Sequence, residues 1–209
     1  MSSEFSLQPA DLRRVNVVGV SGSGKSWLAA RLAEALGSTY VQMDQLYWGP
    51  DWTESEVGVF RDKIRATTQA DRWVLDGNYH SKTHDIKWAA ATLVVWVDHP
   101  FGQTMWQAVS RAVHRAWRQD ELWPGTGNRE SFRRSFCSTE SVVLWTLMMY
   151  RPARRRYLNV QATADERPFR FVRLRGRRSV DRFLQAASEQ AASFARLSHD
   201  AGPADKQTR

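Results

Sequence analysis

The residues with the most chemical content are Gly19-Val20-Ser21-Gly22-Ser23-Gly24-Lys25-Ser26. They satisfy the spacing G-x-x-x-x-G-K-[ST], in which glycines let the backbone bend until successive N–H groups converge on phosphate oxygens. A helix opening directly after such a loop adds its positive N-terminal end. This pattern places Gly19, Ser21, Gly22, Ser23, Gly24 and Trp27 around a nucleotide's phosphates. Lys25 then reaches the β- and γ-phosphates, and the Ser26 hydroxyl ligates Mg²⁺. ATP and Mg²⁺ are the ligands implied.

Acids follow at intervals along the chain. Asp76 ends the run Trp73-Val74-Leu75-Asp76, a position for a carboxylate that organises Mg²⁺ or orients a nucleophile. Asp44 ends the run 39–43 and could take the proton from an acceptor hydroxyl. Strand-end acids also cap turns, so both roles stand open for these two residues. Asp98, followed by His99-Pro100, reads as a helix-entry residue. Trp48, Trp52, Arg61, Asn78 and Tyr79 are assigned with Asp44 and Asp76 to the acceptor side, where the rings could stack on a planar or sugar-ring molecule. Trp73, Trp96, Trp106 and Trp145 lie within apolar periodicities and are expected in the core. His80 and His84 read as a solvated loop, because no further ligand completes a metal set. Cys137 carries no signature of a nucleophile.

Arginines form a second chemical group. Arg111, Arg115 and Arg118 are spaced i, i+4 and i+7 and share one helix face, opposite Met105, Val109, Ala112, Val113 and Ala116. Such a face can be merely solvated. It can also be a lid whose planar guanidiniums pair bidentately with phosphate oxygens. Arg151 and Arg154 could reach the γ-phosphate from the lid's far side. Arg129 and Arg133 could belong to it as well, while Arg155 and Arg156 read as surface.

Elements that would position these groups alternate along the chain. Strands are predicted at 15–18, 39–43, 73–75, 92–97 and 169–174. Helices are predicted at 26–36, 54–70, 102–117, 129–137, 138–157 and 180–197. Apolar strands alternating with helices predict an α/β domain with a parallel sheet covered on both faces. Residues 1–13 and 199–209 are polar and aperiodic, and are expected to fray.

Several segments together resemble a known group. These are the glycine-rich loop, Met43-Asp44-x-x-Tyr47-Trp48, Asp51-Trp52, Trp73-Val74-Leu75-Asp76-Gly77-Asn78-Tyr79, Val97-Asp98-His99-Pro100, Gly127-Asn128-Arg129-Glu130 and Phe171-Val172-Arg173-Leu174. They are similar to small P-loop kinases of the adenylate-kinase-like, or "DNA topology modulation", family, over most of residues 15–185. The resemblance implies a three-layer P-loop sandwich with five parallel strands in the order 2-3-1-4-5, as in nucleoside monophosphate kinases. It further implies a single domain over 1–198, an arginine-rich helical lid at about 115–155, an ATP site at the loop and an acceptor site over the second and third strands. The Asp-Gly-Asn-Tyr segment resembles the Asp-Gly-Phe-Pro-Arg of those kinases but lacks the arginine that holds the acceptor's phosphate. The acceptor therefore need not be a nucleotide.

Composition bounds the alternatives. The chain has 209 residues, 42% of them hydrophobic, which excludes wholesale disorder. Its single cysteine suits a reducing compartment. No apolar run reaches the ~18 residues that span a bilayer, and the first eleven residues show no leader pattern, so a cytoplasmic protein is expected. The net charge is +8, and the segment from Arg111 to Arg178 alone holds sixteen arginines, no lysine and six acids, a balance of +10. An anionic partner is predicted. Two function classes fit. One is a Mg²⁺-ATP-dependent phosphotransferase acting on a small hydroxyl- or phosphate-bearing acceptor, with Lys25, Asp44, Arg111, Arg115 and Arg154 as its catalytic groups. The other is a nucleotide-dependent protein that grips nucleic acid through the basic 111–178 region.

Overall fold

The computed structural model describes residues 5–131 and 141–200. Five strands form one parallel sheet: β1 (Arg14–Val18), β2 (Thr39–Gln42), β3 (Trp73–Asp76), β4 (Leu93–Val97) and β5 (Arg170–Leu174), in the order β2-β3-β1-β4-β5. This is the expected order. Around the sheet lie α1 (Lys25–Leu36), α2 (Met43–Tyr47), α3 (Val57–Thr68), α4 (His80–Ala90), α5 (Phe101–Arg118), α6 (Val142–Ala162) and α7 (Gly176–Asp200).

The inner strands β1, β3 and β4 are mostly apolar because both faces are covered, the edge strands β2 and β5 are less so, and the period of two sorts their side chains. Val15, Val17, Val74, Leu93, Val95, Val97, Val172 and Leu174 face one core, built with α1 and α7. Val18, Trp73, Leu75, Val94 and Trp96 face the other, built with α3, α4 and α6. Trp73 and Trp96 are thus core residues, as expected. In register, Val17 stands beside Asp76 and Gln42 stands on its other side, so the loop after β1 and the Asp76 carboxylate share the sheet's C-terminal edge.

Several expectations need correction. Residues 5–13 are not frayed: Phe5, Leu7 and Leu12 are buried in the α1/α7 core, and Phe5 meets Phe183 edge-on at 5.5 Å. The polar residues between them hid three well-placed apolar anchors. Residues 80–90 form a helix, not a loop. With β1 lying between β3 and β4, their parallel connection must cross the sheet, which takes a dozen or more residues and usually a helix. Within it, His80 and His84 stack at 4.5 Å and His80 presses on Trp88 at 4.8 Å. Helix α3 starts at Val57 because Glu54 is bridged to Trp48. Helix α7 runs to Asp200, past the expected onset of a tail, and residues 201–209 lie outside the described residues. The helix expected over 129–137 falls mostly on 132–140, also outside them, as do Arg133 and Cys137.

Helix α5 is turned the opposite way from an ordinary amphipathic helix. Its packed side is Thr104, Ala108, Ala112 and Ala116, whereas Trp106 and Trp117 are 72% and 80% exposed. Trp106 is therefore not core, and neither is Trp145 on α6, which is 58% exposed. Small residues on the packed side let α5 lie directly against the glycine-rich loop. A Cβ on Gly22 would stand 2.6 Å from the Thr104 carbonyl oxygen and 2.8 Å from the Ala108 Cβ.

Candidate active site

The glycine-rich loop follows β1 and opens α1, as its spacing predicts. Gly22 (φ 80°) and Gly24 (φ 83°) adopt the left-handed backbone that glycine tolerates, and Gly24 caps α1. Ser23 is buried within the loop, where its N–H donates to the Val20 carbonyl at 3.1 Å. Trp27 is exposed on the first turn of α1. Lys25 is half-buried, and its ammonium has no hydrogen-bond or ion-pair partner among the described residues.

Asp76 ends β3 facing this loop. It is buried, its Oδ2 accepts from the Tyr40 hydroxyl at 3.3 Å, and its Oδ1 has no hydrogen-bond partner. The Tyr40 hydroxyl also lies 3.5 Å from the Ser26 carbonyl oxygen, so one phenol spans the two chain segments. Burial, then the Asp76 charge, pushes the Tyr40 pKa well up, which keeps that phenol a donor. A buried carboxylate oxygen without a partner, next to a serine at the start of α1, is a donor set that fits Mg²⁺, an ion that takes one or two carboxylates and fills its shell with phosphate and water. No cluster of three or more His, Cys, Asp or Glu able to hold a metal occurs among the described residues.

Asp44 does not end a strand. It lies in the first turn of α2, exposed, where its Oδ1 accepts from the Tyr79 hydroxyl at 2.8 Å. Burial and the Asp44 carboxylate raise the Tyr79 pKa strongly, so this phenol donates and orients the acid. Tyr79 is held at φ 31° as the N-cap of α4. Around the pair, Tyr47 lies 4.8 Å from Tyr79 and 5.1 Å from Trp48, and Trp48 lies 5.9 Å from Trp52. Trp52 continues to Trp123 at 5.7 Å, giving the acceptor side an aromatic wall.

The basic groups on this side are already neutralised. Arg61 makes a forked pair with Asp85 at 3.0 and 2.6 Å and donates to the Lys82 carbonyl, and Lys82 bonds Tyr47, which in turn bonds Glu54. Asn78 is spent on the loop: its Oδ1 accepts from the Gly19 N–H at 3.0 Å and its Nδ2 donates to the Gly19 carbonyl at 2.6 Å.

The three arginines of α5 diverge. Arg111 turns inward and donates to the Ser21 hydroxyl at 2.6 Å, its one hydrogen bond among the described residues. Burial, then the like charge of Arg115, lowers its pKa against the pull of Glu130, Asp44 and Asp76. Arg115 pairs at 3.0 Å with Glu130, a buried acid. Arg118 pairs with Asp120 in the open.

On the other side of α5, Asp98 is buried between two arginines, Arg154 at 3.3 Å and Arg173 at 2.5 Å. It is a structural hub of β4, β5 and α6, and more than a helix-entry residue. Beside it a cavity of about 660 Å³ is lined by His99, Gln103, Tyr150, Arg151, Arg155 and Arg175, among others. Val20 of the loop borders the adjoining recess.

Four contributors were given no role by the sequence reading, although Asn128 and Glu130 stand in one of the segments that carry the resemblance. Lys87 is fully buried and bonds the carbonyls of Gly77, at 3.1 Å, and Asn78. Tyr157, also buried, donates to Asn78 Oδ1 at 2.9 Å. Asn128 accepts from the Trp52 N–H at 2.9 Å and donates to the Gly49 carbonyl at 2.8 Å, stapling the 119–131 segment to the acceptor side. Glu130 neutralises Arg115. Lys87 was findable once a crossover helix is required after β3. The other three depend on contacts between distant parts of the chain.

The loop amides, Arg111 and Lys25, whose ammonium has no partner among the described residues, lie at the same sheet edge as the buried Asp76, an arrangement that could receive phosphate oxygens. The fold is kinase-like. A gluconokinase from Sinorhizobium meliloti 1021 is similar in structure at TM-score 0.50 and 16% identity, covering 92% of this chain and 99% of that one. A shikimate kinase from Acinetobacter baumannii, solved with shikimate, matches at TM-score 0.48 and 17% identity, covering 92% and 96%. A sugar kinase from Janibacter sp. HTCC2649 matches at 0.43 and 16%, covering 91% and 96%. No family model and no curated protein matches the sequence.

Proposed function

We propose that this protein is an ATP-dependent small-molecule kinase that transfers the γ-phosphoryl group to a hydroxyl of its acceptor. The observation that carries this reading is Arg111. A desolvated guanidinium whose one hydrogen bond among the described residues is to a neutral serine is costly unless an anion completes it. Here it faces a loop built to present N–H groups to phosphate.

In the proposed reaction the loop amides and Lys25 hold the β- and γ-phosphates. Asp44, oriented by Tyr79, takes the proton of the acceptor hydroxyl. The new O–P bond forms at the γ-phosphorus as its bond to the β–γ bridging oxygen breaks, and ADP carries away that electron pair. Arg111 meets the charge spread over the transferring group. Ser26 and Asp76 would hold Mg²⁺, which supplies charge neutralisation on the phosphate oxygens. The arginine-lined cavity next to Val20 is where the nucleoside end would lie. With Arg61 and Lys82 both neutralised, the acceptor side favours an uncharged hydroxyl compound over a second nucleotide. Kinship with the "DNA topology modulation" family rests on the shared motifs alone.

The nucleic-acid alternative gains no support from the arginines. Arg115, Arg118, Arg154, Arg170 and Arg173 all pair with acids of this chain. The test is ATP consumption against a panel of sugars, polyols, nucleosides and nucleoside monophosphates. Turnover that requires one neutral acceptor is expected, whereas turnover confined to nucleoside monophosphates would refute the uncharged acceptor.

A further inference from the structure

We infer that Asn78 is a positioning residue for the phosphate loop, and that Tyr157 of α6 braces its side chain. The inference rests on the kinase reading only for its functional consequence. Strands β1 and β3 pair as far as Val17 and Asp76, and the Gly77 N–H then donates to the Val17 carbonyl at 3.2 Å. Beyond that point the backbones part, as Gly77 (φ 144°) and Tyr79 (φ 31°) turn the chain into α4. The Asn78 side chain takes over. A primary amide carries the same donor and acceptor as a peptide group, and here one side chain meets both the N–H and the carbonyl of Gly19, two bonds that a continued parallel strand would supply from two different residues. Gly19 cannot be held by a side chain of its own, since a Cβ there would stand 2.5 Å from Ser23 Oγ and 2.9 Å from the Val97 carbonyl oxygen.

The amide has two possible orientations, and only one satisfies Gly19. The Gly19 N–H and carbonyl fix that orientation, and Tyr157 braces it by donating a second hydrogen bond to Oδ1 at 2.9 Å. Four further bonds fix the segment from below. Asn16 Nδ2 reaches the carbonyls of Leu75, at 2.9 Å, and Gly77, at 3.3 Å. Lys87 reaches Gly77 and Asn78. The four residues Asp76-Gly77-Asn78-Tyr79 therefore register three things at once: the buried acid, the first residue of the loop and the phenol that orients Asp44. Helix α6 is joined to the same register through Tyr157.

The experiment compares wild type, Asn78→Ala, Tyr157→Phe and the double variant. Hydrogen exchange is read at the amides of 19–24, and affinity for a non-hydrolysable ATP analogue with Mg²⁺ is read by calorimetry. Asn78→Ala should speed exchange across 19–24 and weaken the analogue about tenfold, the size of losing one or two hydrogen bonds. Amides of β4 should keep their wild-type protection, which separates a local release from general destabilisation. Tyr157→Phe, a near-isosteric change, should move both readouts in the same direction but less. It should add nothing in the Asn78→Ala background, because the phenol acts through the amide. Wild-type exchange and affinity in Asn78→Ala, or an undiminished Tyr157→Phe effect in the double variant, would overturn the inference. A wild-type protein that does not bind the analogue would defeat the kinase reading, while the exchange data would still decide the role of Asn78.

Discussion

Lys87 and Asp44 show how differently this fold treats its charged side chains. Lys87 is fully buried, and burial pulls its pKa down to about 7, although the Asp76 charge opposes the shift. Between about pH 7 and the ordinary value of 10.5, the unfolded chain binds a proton that the folded one refuses. This group therefore makes the fold more stable as pH rises through that window. Urea unfolding of wild type and Lys87→Met at pH 7 and pH 9.5 should diverge in favour of wild type as pH rises. The limit for one proton is about 1.4 kcal/mol per pH unit. Parallel pH curves would show that Lys87 keeps its charge in the fold. Asp44, in contrast, is exposed and already holds the hydrogen bond that a general base needs for orientation. Asp44→Asn should lower turnover at least about a hundredfold at saturating ATP. An unchanged rate would reduce Asp44 to a residue of the α2 turn.

Helix α5 decides how the arginines are used. Its four small residues at i, i+4, i+8 and i+12 pack it on the glycine-rich loop, which swings Arg111 inward and leaves Trp106 and Trp117 in solvent. Arg111→Ala should cut turnover about a thousandfold, the lower end for an arginine at a transferring phosphoryl group. Arg111→Lys should restore little of it, since a point charge lacks the planar fork. A tenfold or smaller loss in Arg111→Ala, measured at saturating ATP, would place Arg111 outside the reaction. The sequence revealed the face shared by Arg111, Arg115 and Arg118 but not its direction. Periodicity assigns a helix an apolar and a polar side, and inversion becomes visible only when the neighbouring loop demands small residues. Strands β1, β3 and β4 were legible because they are buried on both faces and read as nearly continuous apolar runs, whereas the edge strands β2 and β5 are only partly buried. Helix α4 was not legible, since its exposed turns are polar and its buried positions include Thr83 and Lys87, which carry no apolar signal.

For the whole molecule, the topology was readable and the acceptor site was not. Alternating strands and helices gave the parallel α/β class, and the resemblance to small P-loop kinases supplied the strand order that the structure has. The acceptor side, however, is assembled from contacts such as Asn128 to Gly49 and Trp52, or Arg61 to Asp85, that join segments far apart in the chain. The same applies to the excess of positive charge. Five arginines that look like a nucleic-acid surface in the sequence are partnered within the fold, two of them on the single buried acid Asp98. No described helix is long and apolar enough to cross a membrane. What unites the fold is the cradle at the sheet's C-terminal edge, and calorimetric titration of wild type and Lys25→Ala with a Mg²⁺-ATP analogue tests it most directly. Wild type should bind in a Mg²⁺-dependent way, and Lys25→Ala, equally folded, should bind about 10–100-fold more weakly, the scale of a charge-assisted bond. Equal affinity in the two proteins, or no binding by either, would contradict a phosphate cradle at this loop.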